Sequence, residues 1–350
     1  MGEPAVPGRL AELGWNERWA ALAADRPPGT EPGRVVRHDG IAVLVATAHH
    51  VGARPLRPAL PPLAVGDWLL VDDHSVVAVL ERTALLQRRD PTRGGPQLIA
   101  ANVDLVGVVC GLDRPVKRGR IQRFVVQVFD SGARPLAVLT KVDLVAAPEV
   151  VAAEAIVERA APGVDAIGTS VRSGAGLRAL RDATRGRTVA FVGESGAGKS
   201  TLVNVLAGRD VAATTAVRST DAKGRHTTTA RELHVLPGHG CLVDTPGLRE
   251  VGLFTDVATV DEVFDDVVEA LGLTEGPCRF TDCTHTSEPG CAVRAAVESG
   301  ALDPQRYESW LALRREAEAA ELRADPVERR RTERRFSKMA REAQKRSRRD

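Results

Sequence analysis

Long hydrophobic runs are missing from this chain of 350 residues. No stretch approaches the roughly 18 uncharged apolar residues that a membrane-spanning helix needs. The opening MGEPAVPGRLAELGW also lacks the apolar segment of a signal peptide. A cytoplasmic protein with no membrane partner is therefore expected. Cysteine is sparse, with five in all; in a reducing compartment these are core residues or metal ligands rather than disulfides. A strong charge of either sign is missing too. The net charge of +2 supplies no global field toward a polyanion. Charge is distributed unevenly, however: Asp256–Glu269 is acidic and the tail from Glu328 to Asp350 is strongly basic. Such a tail is a solvated helix, a disordered arm or a nucleic-acid contact. Hydrophobic content of 43% and charged content of 27% are ordinary for a globular chain, and the length allows two or three cores.

What is there falls into zones after a Pro- and Gly-rich extension at residues 1–32. Across 33–97, short apolar runs (RVVRHDGIAVLVAT, VGDWLLVD, SVVAVLERTALL) are broken by turn signals, and Asp39–Gly40 marks a hairpin. Closely spaced strands without a helical period suggest an all-β, OB-like barrel. Aromatics are scarce here: the zone offers only Trp68 for base stacking. An RNA contact would lean on Arg34, Arg37, Arg54, Arg57, Arg88 and Arg89, and a purely structural barrel is the alternative. Across 98–252 the pattern turns to α/β. Strands VDLVGVVC, PLAVLTKV, VDAIGTS, RTVAFVG and CLVDTPG alternate with amphipathic segments, as in a parallel sheet covered on both faces. Residues 253–325 read as mainly helical and carry three cysteines, and 326–350 form the basic tail.

FVGESGAGKST contains Gly193-Glu194-Ser195-Gly196-Ala197-Gly198-Lys199-Ser200, then Thr201, fitting G-x-x-x-x-G-K-[ST] between an apolar strand and a helix. The glycines let successive N–H groups face phosphate oxygens, and the helix N-terminus adds partial positive charge. Lys199 should reach the β- and γ-phosphates and the Ser200 hydroxyl should ligate Mg²⁺. The cradle alone does not choose the base. Upstream, Thr140-Lys141-Val142-Asp143 ends another strand. There the Asp143 carboxylate can accept from guanine N1–H and N2–H₂, donors that adenine lacks, while the Lys141 stem lies over the base. Asp244-Thr-Pro-Gly247 matches D-x-x-G, with Asp244 toward Mg²⁺ and the Gly247 N–H toward the γ-phosphate. Gly224–Thr229 takes the place of switch I, where Thr228 or Thr229 rather than Thr227 would complete the Mg²⁺ shell. Gly168-Thr-Ser170 could close the guanine pocket.

The order along the chain is guanine loop, pocket closer, phosphate loop, switch I, D-x-x-G. Rotating it cyclically restores the usual GTPase order, which a parallel α/β sheet tolerates because packing depends on strand neighbours. Farther on, Cys278, Cys283, His285 and Cys291 form a Cys₃His set suited to a closed, structural Zn²⁺. Glu288 beside it reads as a catalytic carboxylate or a solvated loop residue, the latter preferred. Cys110 and Cys241 read as core thiols.

With GESGAGKS, KGRHTTT, DTPG, the upstream TKVD, AANVD at Ala100–Asp104 and the cysteine cluster, the chain resembles the RsgA family (also YjeQ or EngC). These are circularly permuted GTPases of small-subunit assembly. The resemblance covers roughly Gly33 to Trp310 and implies a barrel, a permuted GTPase domain and a zinc-bearing helical domain. It also implies GTP hydrolysis stimulated by the 30S subunit, contact with 16S rRNA, and, by expectation, a monomer. One departure is Thr140, where GTPases usually carry Asn; this bears on nucleotide affinity more than on guanine preference. Ras-like enzymes orient the attacking water with a Gln after D-x-x-G, but Leu248 stands there. His226 is then the candidate to orient water, with a turn-capping role as its alternative. A nucleotide-dependent RNA-binding scaffold with negligible catalysis is the second reading. A P-loop ATPase or kinase is the third.

Overall fold

A computed structural model describes residues 8–57, 60–89, 96–212, 231–236, 238, 240–244, 257–268, 278–280 and 283–324. Two compact units are present, one of Met1–Asp90 with Pro96–Gly252 and one of Pro91–Gly95 with Leu253–Asp350. Among the described residues no helix is long and apolar enough to cross a membrane.

The first unit opens with two short helices, α1 (Gly8–Glu12) and α2 (Glu17–Leu22). The Asn16 side chain accepts from the Trp19 N–H and caps α2. Leu10, Leu13 and Trp19 are buried, and the rings of Trp15 and Trp19 lie 4.9 and 5.9 Å from that of Trp68. They cover five strands: β1 (Glu31–His38), β2 (Ala42–Thr47), β3 (Val51–Pro55), β4 (Trp68–Val71) and β5 (Val76–Val79). The β1–β2 hairpin closes at Asp39, whose N–H donates to Ala42 O. β1 pairs with β2 on one side and β4 on the other, and β4 pairs with β5. That connectivity is OB-like. A hairpin of β6 (Leu85–Arg89) and β7 (Pro96–Ala101) leads out of the barrel.

Next come β8 (Leu105–Gly111), α3 (Arg118–Asp130), β9 (Arg134–Thr140), α4 (Ala147–Ala160), β10 (Ala166–Thr169), α5 (Leu177–Thr184), β11 (Arg187–Gly193) and α6 (Lys199–Ala207). β12 (Arg231–Leu236) and β13 (Gly240–Asp244) complete the layer. Strand order is β10-β9-β8-β11-β13-β12. β8 and β11 are apolar almost throughout and lie at its centre, as strands covered on both faces must be. The sheet is mixed rather than wholly parallel: five strands run parallel, and β12 runs antiparallel to β13. The connection between β12 and β13 through Gly238 is too short for the crossover that a parallel pair needs. β12 also pairs with β1, Arg37 opposite Glu232 and His38 opposite Arg231, so the barrel and the α/β layer share one continuous sheet.

Arg34 and Arg54, offered as RNA contacts, are instead only 1% and 5% exposed. Arg34 donates to Gly66 O (3.2 Å), Leu13 O, Asn102 O (3.3 Å) and Thr188 Oγ1 (2.9 Å), and it stacks on Trp68. It thereby fastens the α1 end, the barrel, the AANVD stretch and β11 together. Arg54 lies against Asp72 O. Strand alternation turned both inward, and carbonyl acceptors satisfy the buried charge. Arg57 remains exposed, and Arg37 is half-buried and paired with Asp39 and Glu232.

The second unit packs α7 (Val257–Val263), α8 (Ala292–Glu298) and α9 (Pro304–Ala324) around Val260, Phe264, Val293, Trp310 and Leu313. Arg306 grips Asp266 and Val263 O, and the Trp310 indole N–H donates to Asp261 at 2.8 Å.

Candidate functional site

Going along the chain, β8, β9 and β10 step outward on one side of the α/β layer. The chain then returns to lay β11 beside β8 and continues to the other side. Strand order thus reverses between β8 and β11, the place where open α/β sheets bind ligands. The C-terminal end of β11 carries the phosphate loop. Gly193, Gly196 and Gly198 have φ of +139°, +78° and +95°, values that side chains resist. A Cβ on Gly193 would lie 2.3 Å from Val109 O, so no other residue fits beside β8. α6 begins at Lys199, which places Ser200 and Thr201 in its first turn. The Lys199 ammonium donates to Gly193 O and Glu194 O at 2.6 and 2.5 Å and so spans the mouth of the loop. Arg120 of α3 pairs with Glu194.

β9 delivers the guanine-type loop next to it. Lys141 is left-handed (φ +62°) and a single 3₁₀ turn over Val142–Leu144 follows. The Thr140 hydroxyl is buried and donates to Ala197 O at 2.6 Å. Lys141 Nζ donates to Gly196 O at 2.8 Å and to Asp113 at 2.8 Å. Two side chains of the T-K-x-D segment therefore clamp two carbonyls of the phosphate loop, and Thr140 makes this link although it is not Asn. Lys141, and then Arg114, hold the Asp113 carboxyl below its ordinary range.

A cavity of about 290 Å³ opens between these segments, lined by Thr140, Lys141, Asp143, Leu144, Thr169, Val171, Arg172, Gly198, Thr201 and Leu202. Asp143 is exposed to solvent at its rim. Ser170 lies behind the wall: its N–H donates to Ala175 O and its hydroxyl accepts from Ser173 N–H. The side facing the cavity is supplied by Val171 and Arg172, which sequence reasoning missed, as it missed Asp113. Asp244 ends β13, beside β11. Gly247, Leu248, His226, Thr227, Thr228, Thr229 and the basic tail lie outside the described residues.

In the second unit Cys278, Cys283, His285 and Cys291 present ligand atoms all within 4.8 Å of one another. His285 Nδ1 is 3.5 Å from Cys278 Sγ and 3.6 Å from Cys291 Sγ. Zn–S and Zn–N bonds of about 2.3 and 2.0 Å at a tetrahedral angle give a ligand edge of about 3.5 Å. The donor set and its spacing fit that ion. The Ala292 N–H donates to Cys278 Sγ at 3.4 Å. Burial raises the Cys278 thiol, but this N–H and the neighbouring thiols outweigh it and leave it lowered. Cys110, by contrast, is pushed up to about 11 by burial, as befits an inert core thiol.

A phosphate cradle at the strand-order reversal, clamped by a guanine-type loop from an upstream strand, defines a P-loop GTPase domain in circularly permuted order. The chain belongs to the RsgA GTPase family: the family model of that description matches residues 79–254. The small ribosomal subunit biogenesis GTPase RsgA of Streptomyces coelicolor is 44% identical over 319 residues, 88% of this chain and 86% of that protein. RsgA 2 of Vibrio parahaemolyticus is 39% identical over 318 residues, 88% of this chain and 85% of that one. The crystal structure of YjeQ from Thermotoga maritima is similar with a TM-score of 0.60 at 25% identity, covering 82% of this chain and 98% of that chain. That of YloQ, a circularly permuted GTPase, shares the fold with a TM-score of 0.58 at 24% identity, covering 84% and 97%.

Proposed function

We propose that this protein hydrolyses GTP to GDP and phosphate in the maturation of the small ribosomal subunit. The observation that carries the reading is the meeting of Thr140, Lys141 and Asp143 with Gly198 and Thr201 around one cavity beside the phosphate loop. In this reading guanine lies against Asp143 and the phosphates lie in the cradle Gly193–Thr201. Lys199 leaves its carbonyls to neutralise the β- and γ-oxygens. Ser200, Asp244 and a switch I threonine, Thr228, would hold Mg²⁺, which would supply positive charge to neutralise the phosphates. The oxygen donors of Ser200, in the first turn of α6, and of Asp244, at the end of β13, suit that hard ion. Gly247 senses the γ-phosphate. His226 orients the attacking water in place of the missing Gln, and the subunit orders it, so turnover of the isolated protein is slow.

The ion in the Cys₃His cluster is structural zinc, because the four protein ligands leave no open position. The barrel and the metal unit grip 16S rRNA in the GTP state and let go after hydrolysis, with salt-sensitive help from the basic tail. The exposed Arg57 takes up the barrel's share, and the half-buried Arg37 joins it only on leaving Asp39 and Glu232. The protein works in the cytoplasm as a monomer, with GTP as substrate and GDP as product. Leu248 supports one rival, a nucleotide-dependent RNA-binding scaffold with negligible catalysis. Turnover of GTP and ATP with and without 30S subunits separates them. Stimulated, GTP-selective turnover supports the proposal; a rate near zero even with 30S subunits supports the scaffold; preference for ATP contradicts both.

A further inference from the structure

Glu288 sits inside the metal loop without being one of its ligands. Both of its carboxylate oxygens are occupied. Oε1 accepts the Thr284 N–H at 3.1 Å and the Thr284 hydroxyl at 2.5 Å; Oε2 accepts the N–H groups of Thr286 and Ser287 at 2.9 and 3.0 Å. The residue is neither a spare solvated acid nor placed to do chemistry, since no oxygen is left over for a substrate.

What it encloses is His285. Thr284 and Thr286 flank that residue, whose backbone is left-handed at φ +59°, a conformation that a Cβ-bearing residue keeps only when its surroundings enforce it. Two sets of contacts enforce it. Glu288 ties down the N–H groups of Thr284 and Thr286, before and after His285. The Tyr307 hydroxyl donates to His285 O, and the Trp310 ring lies 5.5 Å from the imidazole. With the turn so held, Nδ1 lies at ligand-edge distance from two thiols. A carboxylate accepts all four donors in this turn more strongly than neutral acceptors would.

We propose that Glu288 is a positioning residue for the metal: it locks the 284–288 turn so that His285 Nδ1 faces the three cysteines. It thereby sets the affinity of the cluster for a tetrahedral divalent cation. This rests on the reading of the cluster as a zinc site. Groups that orient metal-ligating side chains in this way change metal affinity by about 10–100-fold.

The full-length chain, stripped of metal and titrated with Co²⁺ and then Zn²⁺ against a chromophoric chelator, tests it. Wild type should give the intense visible band of tetrahedral cobalt. Glu288→Ala should bind about 10–100-fold more weakly with an altered band, and Glu288→Gln, which keeps one acceptor oxygen, should fall between. GDP binding by the same samples shows that the first unit is folded; should the Ala variant not fold, the Gln variant carries the same criterion. Affinity within twofold of wild type and an unchanged band would overturn the proposal. A wild-type protein that gives no tetrahedral cobalt band would instead overturn the zinc reading beneath it.

Discussion

Thr140→Val probes the link between the two halves of the nucleotide site. Valine has the shape of threonine, so the substitution leaves no cavity; it deletes the hydroxyl that donates to Ala197 O at 2.6 Å. Thr140 is 4% exposed, so water cannot readily replace the lost donor, and the carbonyl is left buried without it. An unsatisfied buried acceptor costs about 1–3 kcal/mol. The bond exists before nucleotide binds, so the first effect falls on stability. In a unit of this size each kcal/mol lowers Tm by about 2–4 °C. Nucleotide affinity then falls by as much of that energy as the loosened phosphate loop must regain on binding, at most about 5- to 150-fold. Thermal unfolding and titration with a fluorescent GDP analogue measure both. Unchanged Tm together with unchanged affinity would refute the claim that Thr140 does the work of the usual Asn.

Asp143→Asn should cost guanine nucleotides about 3 kcal/mol or more, roughly 100-fold in affinity. The amide should in exchange accept xanthine, whose 2-oxo group pairs with an N–H donor; competition binding with the two nucleotides checks it. Gly193→Ala places a Cβ 2.3 Å from Val109 O at φ +139°, so loss of nucleotide binding and a lowered Tm are expected by the same two assays. His226→Ala should reduce subunit-stimulated turnover by about 100-fold or more if this imidazole orients water, and survival of the full stimulated rate would leave it a turn residue.

Much of this was legible in local pattern. GESGAGKS between apolar strand and helix, the Asp39–Gly40 hairpin and the Cys₃His spacing each declare themselves within a few residues, because the physics behind them is local. What escaped is non-local. Arg34 looked like a surface cation in a strand, since nothing near it in sequence reveals that its acceptors lie as far away as Thr188. RELHVL, half-buried at most positions, becomes a strand only because β1 and β13 flank it. Leu10 and Trp19 sit in helices too short to show a period, and they are buried in a core shared with residues as distant as Trp68. Val171 and Arg172 reach the cavity through a loop whose path the preceding strand does not dictate.

The central claim is that segments far apart in the chain converge on a single guanine nucleotide. A crystal structure of the protein with a non-hydrolysable GTP analogue and Mg²⁺ tests it most directly. The account predicts the base edge within hydrogen-bond distance of Asp143 while the phosphates occupy Gly193–Thr201. A base turned away from Asp143, with the phosphates still in the cradle, would contradict it.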